Sequence, residues 1–277
     1  CIEQDLKLQF ETKSTWSRAE LSVPVPWGEI RGKVWGPDHG RPVLCLHGWA
    51  DNCGSFDTLI PLLPRECRYV AVDLAGHGRS SHRPAGVLYS ALAYVADVHR
   101  VVDALHLKKF SIISHSMGEC STGIDCFSAL YPEMVDALVF LDSYGFLPTD
   151  TVQFTHLRLR NSLQSLNEKK RRVYTYKEAV ERLLAANPTL SEQSVHILFE
   201  RGLVEVEGGF VFSRDLRVNF VINIPVFLSL SLSQHKVVTL PGNHHIHLTN
   251  PEVIAPLVTD YLRTEASSLS TKREHKL

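Results

Sequence analysis

Short, unbroken apolar runs recur through the first half of the chain, at Val43 to Leu46, Tyr69 to Asp73, Phe110 to Ile113 and Ala137 to Leu141. Runs with little alternation are what strands buried on both faces look like. Ahead of them Leu21 to Val25 and Ile30 to Trp35 do alternate, around Pro26-Trp27-Gly28, and this predicts an N-terminal hairpin. Between the runs, Phe56 to Leu63, Ala91 to Leu105 and Met117 to Leu130 read as helices, Ala91 to Leu105 with its apolar residues three and four apart. Strands alternating with helices predict an α/β chain built on a mostly parallel, doubly wound sheet.

The pattern changes over residues 145–217, which are polar, rich in Lys, Arg and Glu, and helical in period. Tyr176 to Ala186 reads as one helix, stopped at Asn187-Pro188, and Ser191 to Arg201 as another, with Ser191 at its N-cap and Gly202 past its end. Apolar strands return at Ile224 to Leu232 and Lys236 to Leu240, and Ile254 to Leu262 reads as a closing helix with Pro256 in its first turn. Only Ser233, Gln234 and His235 separate these two strands, whereas parallel neighbours need a crossover of a dozen or more residues. They therefore form an antiparallel hairpin, or one bent strand, or the remnant of a lost crossover. The last is preferred, because the motif that follows, Pro241 to Leu248, is intact. The chain thus divides into 1–144 and 218–264, two parts of one core, with an inserted segment at 145–217 and a polar tail at 265–277.

With 277 residues, 44% apolar and 21% charged, the chain is long enough for one large domain plus an insertion. A net charge of −1 argues against a nucleic-acid partner. No stretch approaches the roughly 20 apolar residues of a membrane span, and no signal-peptide core opens the chain. The six cysteines form no CxxC pair and read as reduced thiols of a cytoplasmic protein. The chain opens on Cys1 rather than Met, which points to an incomplete start. Its last residues, His275-Lys276-Leu277, are a weak version of a peroxisomal address, with a solvated polar tail as the competing reading.

The chemistry centres on Ser116, in the run Phe110 to Ser121, where a strand meets a serine flanked at −2 and +2 by Ser114 and Gly118. A turn that sharp forces the central residue toward positive φ, and only small neighbours fit beside it. One five-residue pattern is weak alone; its company is more specific. Upstream lie Pro42 to His47, leading into Gly48-Trp49, and the loop Asp73 to Ser80 (DLAGHGRS); downstream lies the cluster His244, His245 and His247. Strand, HGW turn, D-x-x-G-H-G-x-S loop, serine elbow and late histidine, in that order, resemble the α/β-hydrolase superfamily.

That resemblance implies a helical cap at 145–217 and a triad in the order serine, acid, histidine. A serine hydroxyl needs a base to take its proton. His244 matches that base, in the loop after the last strand, behind Asn243 and seven residues before Pro251; His247 is the fallback and His245 a bystander. No carboxylate lies between Asp215 and Glu252, where the acid stands in many members, so Asp142 at the end of VFLD remains as the acid. The competing reading has Asp142 only bracing its turn. The two oxyanion N–H donors would come from Met117 and Trp49. His47, Asp73 and His77 read as loop-bracing residues.

More closely, LCLHGWADNCGSFDTLIPLLP, YVAVDLAGHGRSSH, FSIISHSMGE, the stretch LLAANPTLSEQSVHILFERG with VFSRDLR, and PGNHHIHL are similar to the serine hydrolase-like proteins of vertebrates, over Leu21 to Leu262. In that family glycines stand where this chain has Ser114 and Glu119, and a longer segment precedes the histidine motif. The resemblance implies a cofactor-free, metal-free serine hydrolase acting through an acyl-enzyme on a small molecule with a hydrolysable carbonyl, an ester or thioester. Epoxide-hydrolase and dehalogenase chemistry is disfavoured, since those branches use an aspartate at the elbow. The alternative is a catalytically inactive isoform with a binding role or none.

Overall fold

The computed structural model describes residues 7–11, 18–116, 124–143, 171–220 and 236–274. Nine strands are assigned among them. They are β1 (Lys7–Glu11), β2 (Arg18–Val25), β3 (Gly28–Trp35), β4 (Arg41–Leu46), β5 (Cys67–Val72), β6 (Phe110–His115), β7 (Val135–Leu141), β8 (Leu203–Val206) and β9 (Gly209–Phe212). The first seven form one sheet in the order β1-β2-β3-β5-β4-β6-β7. All but β1 and β3 run the same way, with β4 and β5, β4 and β6, and β6 and β7 paired in parallel.

The unbroken apolar runs bury both faces of this sheet, because successive side chains of a strand point to opposite sides. Leu44, Leu46, Val70, Val72 and Ile112 meet one core cluster, with Val98, Val101 and Val102 of helix α1 (Ala91–Ala104). Val43, Cys45, Tyr69, Ala71 and Ile113 meet the other, with Ile254, Val258 and Leu262 of the C-terminal helix. Ser90 caps α1 by accepting from the Ala93 amide, which satisfies one of the amides a helix start leaves unpaired.

Helix α2 (Ile124–Leu130) is the described end of the expected Met117 to Leu130 helix; residues 117–123 lie outside the described residues. The segment expected as a helical cap is described from residue 171. Helices α3 (Tyr176–Ala186) and α4 (Glu192–Gly202) fall where the pattern places them, capped by Thr175 in a capping box with Glu178 and by Ser191. The segment is not purely helical, since β8 and β9 pair as an antiparallel hairpin behind α4. It packs on the loops after β4 and β5. Asn52 Nδ2 donates to the Leu198 carbonyl at 2.8 Å, and Arg201 Nε to Asp73 at 2.8 Å.

Four further expectations are corrected. Phe56 to Leu63 is not an α-helix but two short 3-10 turns, Cys53–Phe56 and Ile60–Leu62, as Pro61 and the Asn52 side chain bonded to Gly54 favour turns over a continuous helix. Lys236 to Leu240 forms no strand. Among the described residues nothing pairs with it, and Val237, 83% exposed, has no buried face to contribute. Its expected partner, Ile224 to Leu232, lies outside the described residues, so the described sheet ends at β7. The closing helix starts earlier and runs longer than expected. After a single turn, α5 (Ile246–Thr249), α6 spans Pro251–Glu274, with Pro251 at the first position, where its missing N–H costs nothing. Pro256 therefore sits beyond the first turn, and the helix carries on into the polar tail.

Candidate active site

The β6–β7 register builds the first half of the site. His115 pairs with Leu141, so the next residues, Ser116 and Asp142, stand side by side where the parallel strands end. Both have left-handed backbones, with φ of 50° and 47°, the strained geometry expected of an elbow. The Ser116 amide donates to the Leu141 carbonyl at 3.0 Å, and Ser143 Oγ to the Ser116 carbonyl at 3.0 Å. Gly48 packs against this corner. A Cβ there would stand 2.7 Å from His115 Nδ1 and 3.2 Å from Ser116 Cβ, so only glycine lets the HGW turn come this close.

The histidine loop supplies the second half. His244 Nδ1 donates to Asp142 Oδ2 at 2.5 Å, an arrangement that leaves Nε2 as the acceptor. Both side chains are partly exposed, 47% for His244 and 36% for Asp142. His115 Nε2 donates to the His244 carbonyl at 2.8 Å, and the two rings lie tilted at 46° to each other with centroids 4.6 Å apart. Among the described residues no hydrogen bond joins Ser116 to His244.

Beneath the pair lies a buried set that the sequence reading passed over. Asp51 stands 3.3 Å from His245 Nε2 and 3.7 Å from His115 Nδ1. Burial raises the Asp51 carboxyl, but the close contact with His245 and the surrounding imidazoles bring it below the usual carboxylate value. His245 shows the converse: burial lowers it, and Asp51 more than offsets this. His245 is thus no bystander to the structure, for with Asp51 it clamps the histidine loop to the HGW loop. The signal available was the i+2 spacing of Asp51 from Trp49, too generic to single it out.

His247 is fully buried, its ring 4.1 Å from that of His115 and 5.5 Å from that of Phe56, with neither nitrogen hydrogen-bonded. Burial and the neighbouring imidazoles hold its pKa well below the ordinary histidine value. The imidazoles pack ring against ring, and among the described residues no three metal-ligating side chains gather.

Trp49 is 48% exposed, and among the described residues its amide donates to no acceptor. Met117 lies outside the described residues. His47 donates through Nδ1 to the Gly48 carbonyl at 2.8 Å and accepts the Leu74 amide on Nε2 at 3.0 Å, joining the HGW and DLAGHGRS loops. Asp73 accepts from the amides of Cys53 and Arg79, each at 2.8 Å. His77 meets the His47 ring edge to face, with centroids 5.1 Å apart.

The model of the α/β hydrolase fold family matches residues 41–187, just over half of the chain. A serine hydrolase-like protein of Danio rerio is 50% identical over 94% of this chain and 94% of its own length. The chain is an α/β-hydrolase of the serine hydrolase-like family. Serine hydrolase-like protein 2 of Homo sapiens is 34% identical over 88% of this α/β-hydrolase and 94% of its own length. A crystal structure of a hypothetical protein from Pseudomonas aeruginosa superposes with a TM-score of 0.76 and 28% identity, covering 88% of this chain and 99% of that one. The Danio alignment spans 309 positions, whereas 94% of 277 residues is about 260, so that relative carries a stretch with no counterpart here. Family and fold support a hydrolase.

Proposed function

We propose that this α/β-hydrolase is a serine hydrolase that cleaves esters or thioesters through an acyl-enzyme. One observation carries the reading: the Asp142–His244 contact stands at the strand ends where Ser116 holds its positive φ. Ser116 Oγ attacks the carbonyl carbon while His244 Nε2 takes its proton. Asp142 keeps the proton of Nδ1 in place and stabilises the imidazolium. The amides of Met117 and Trp49 receive the developing oxyanion. Collapse expels the alcohol or thiol with the proton from His244, and water, activated by the same imidazole, then frees the acid. The 171–217 segment, lying over the loops after β4 and β5, acts as the cap that shields this chemistry from solvent.

A fluorophosphonate probe tests the reading. Wild-type chain labels and Ser116→Ala does not; equal labelling of the two removes Ser116 as nucleophile. A second reading, a hydrolase-fold chain that binds without turnover, draws on the missing Ser116–His244 hydrogen bond and the exposure of the acid–base pair. It predicts no labelling of either chain.

A further inference from the structure

Most arginines around the site have acids to answer them. Arg201 meets Asp73 and Glu20, Arg217 meets Asp215, and Arg83 meets Asp97. Arg214 has no carboxylate partner among the described residues. Its guanidinium lies over the exposed Trp49 ring, 4.9 Å from the centroid, and Trp49 follows the glycine packed against Ser116. This is not a loose surface side chain. On one side Ser213 is pinned by its amide to the Gly202 carbonyl at 2.9 Å and by its hydroxyl to the Arg201 carbonyl at 3.0 Å. On the other side the Asp215 amide donates to the Gly76 carbonyl at 2.9 Å, and its carboxylate is taken up by Arg217 and by Tyr89 at 2.9 Å. With both neighbours buried and fixed, Arg214 is left directed at Trp49.

Among the described residues no carboxylate pairs directly with its charge. Burial lowers the Arg214 pKa; Asp51 pulls it back up, and the nearby Arg182 lowers it again. Arg182 also rests on an aromatic ring, 5.6 Å from the centroid of Tyr174, with no acid of its own among the described residues. Asp51 is committed to His245. A guanidinium held against an aromatic face keeps its in-plane N–H donors for a carboxylate or a phosphate, which it binds two-pronged.

We infer that Arg214 is an anion subsite at the mouth of the Ser116 site. The substrate is then an ester or thioester that carries a carboxylate or phosphate group. This rests on the serine-hydrolase reading and adds the substrate's charge to it.

Two 4-nitrophenyl esters of equal length separate the cases, the glutarate half-ester, which is anionic, and the neutral pentanoate. The wild-type chain prefers the half-ester by at least about tenfold in kcat/KM, mostly through KM, as expected of one charge-assisted contact. In Arg214→Gln the ratio falls to near one, and Arg214→Lys restores part of it. Equal use of the esters by the wild type, or a loss in Arg214→Gln shared equally by both, overturns the subsite. Thermal unfolding with free glutarate or inorganic phosphate, at matched ionic strength, reads binding without turnover and tells carboxylate from phosphate. At least one of the two raises the wild-type Tm and does so less in Arg214→Gln; the same shift in both chains, or none in either, overturns the proposal. A wild type that hydrolyses neither ester and takes no fluorophosphonate, yet shows the Arg214-dependent Tm shift, retires the hydrolase reading and keeps the anion site.

Discussion

An imidazole accepts a proton at Nε2 only while Nδ1 keeps its own, and at His244 the Asp142 carboxylate is what holds it there. Replacing that carboxylate by an amide keeps the shape and loses the charge. A fully buried triad acid loses about 10⁴-fold in kcat on that change. Here both partners are partly exposed, and water screens some of the interaction. Asp142→Asn is therefore expected to lower kcat by about 10³-fold with little change in KM. Steady-state kinetics on 4-nitrophenyl esters check it, and a loss below about tenfold would return Asp142 to bracing its turn. At this scale the sequence was informative for residues whose chemistry is tied to a motif. The left-handed turn at Ser116 could be read from the elbow, and the Asp142–His244 contact follows from chain order with few acids to choose from. The Asp51–His245 contact and the placement of Arg214 over Trp49 could not be read, because each joins residues distant in sequence.

Helix α4 is held to the sheet through charge as well as packing. Arg201, fully buried at its end, reaches Asp73 after β5 and Glu20 on β2, while Lys33 on β3 meets Asp57 at 2.6 Å and Glu200 at 3.5 Å. Breaking a buried pair from one side leaves an uncompensated charge, which typically costs about 3–5 kcal/mol. Arg201→Met is accordingly expected to lower stability by about that amount, read as a lower urea midpoint at unchanged m-value. A loss under about 1 kcal/mol, the worth of an exposed pair, would show that packing alone holds the helix. Elements were legible where one physical signal was strong. The central strands showed unbroken apolar runs, and α3 and α4 had caps and stops. Elements that depend on a partner were not: β8 and β9 define each other within a polar stretch, and Lys236 to Leu240 has the composition of a strand without a described neighbour to pair with.

Taken whole, the molecule buries an unusual number of imidazoles. His47, His77, His115 and His247 are all at most 1% exposed. Burial lowers each of them, His77 to about 3 and His115 to about 4. For a histidine whose folded pKa is depressed, the unfolded chain binds the proton first, so stability is lost as pH falls below about 6.5. For His115 alone the loss on reaching pH 4 is on the order of 3 kcal/mol, against a total of about 5–15 kcal/mol for an ordinary domain. Asp57 and Asp97 pull the other way, since burial raises both, Asp97 to about 6. Asp51, Asp73 and Asp215, all lowered, add stability that disappears only below the usual carboxylate range. His245 contributes in the opposite sense to the other histidines, its share being full below about 6.5 and fading as pH rises through its raised value. With His82, which burial also lowers, five depressed histidines outweigh two raised carboxylates and one raised histidine. The urea midpoint is therefore expected to fall steadily from pH 7 to pH 5. His247→Leu, which removes a buried ring with two unpaired nitrogens, should shallow that fall. A midpoint that is flat or rises toward pH 5, or an unchanged slope in His247→Leu, would mean that these imidazoles take up protons in the folded chain as readily as in the unfolded one.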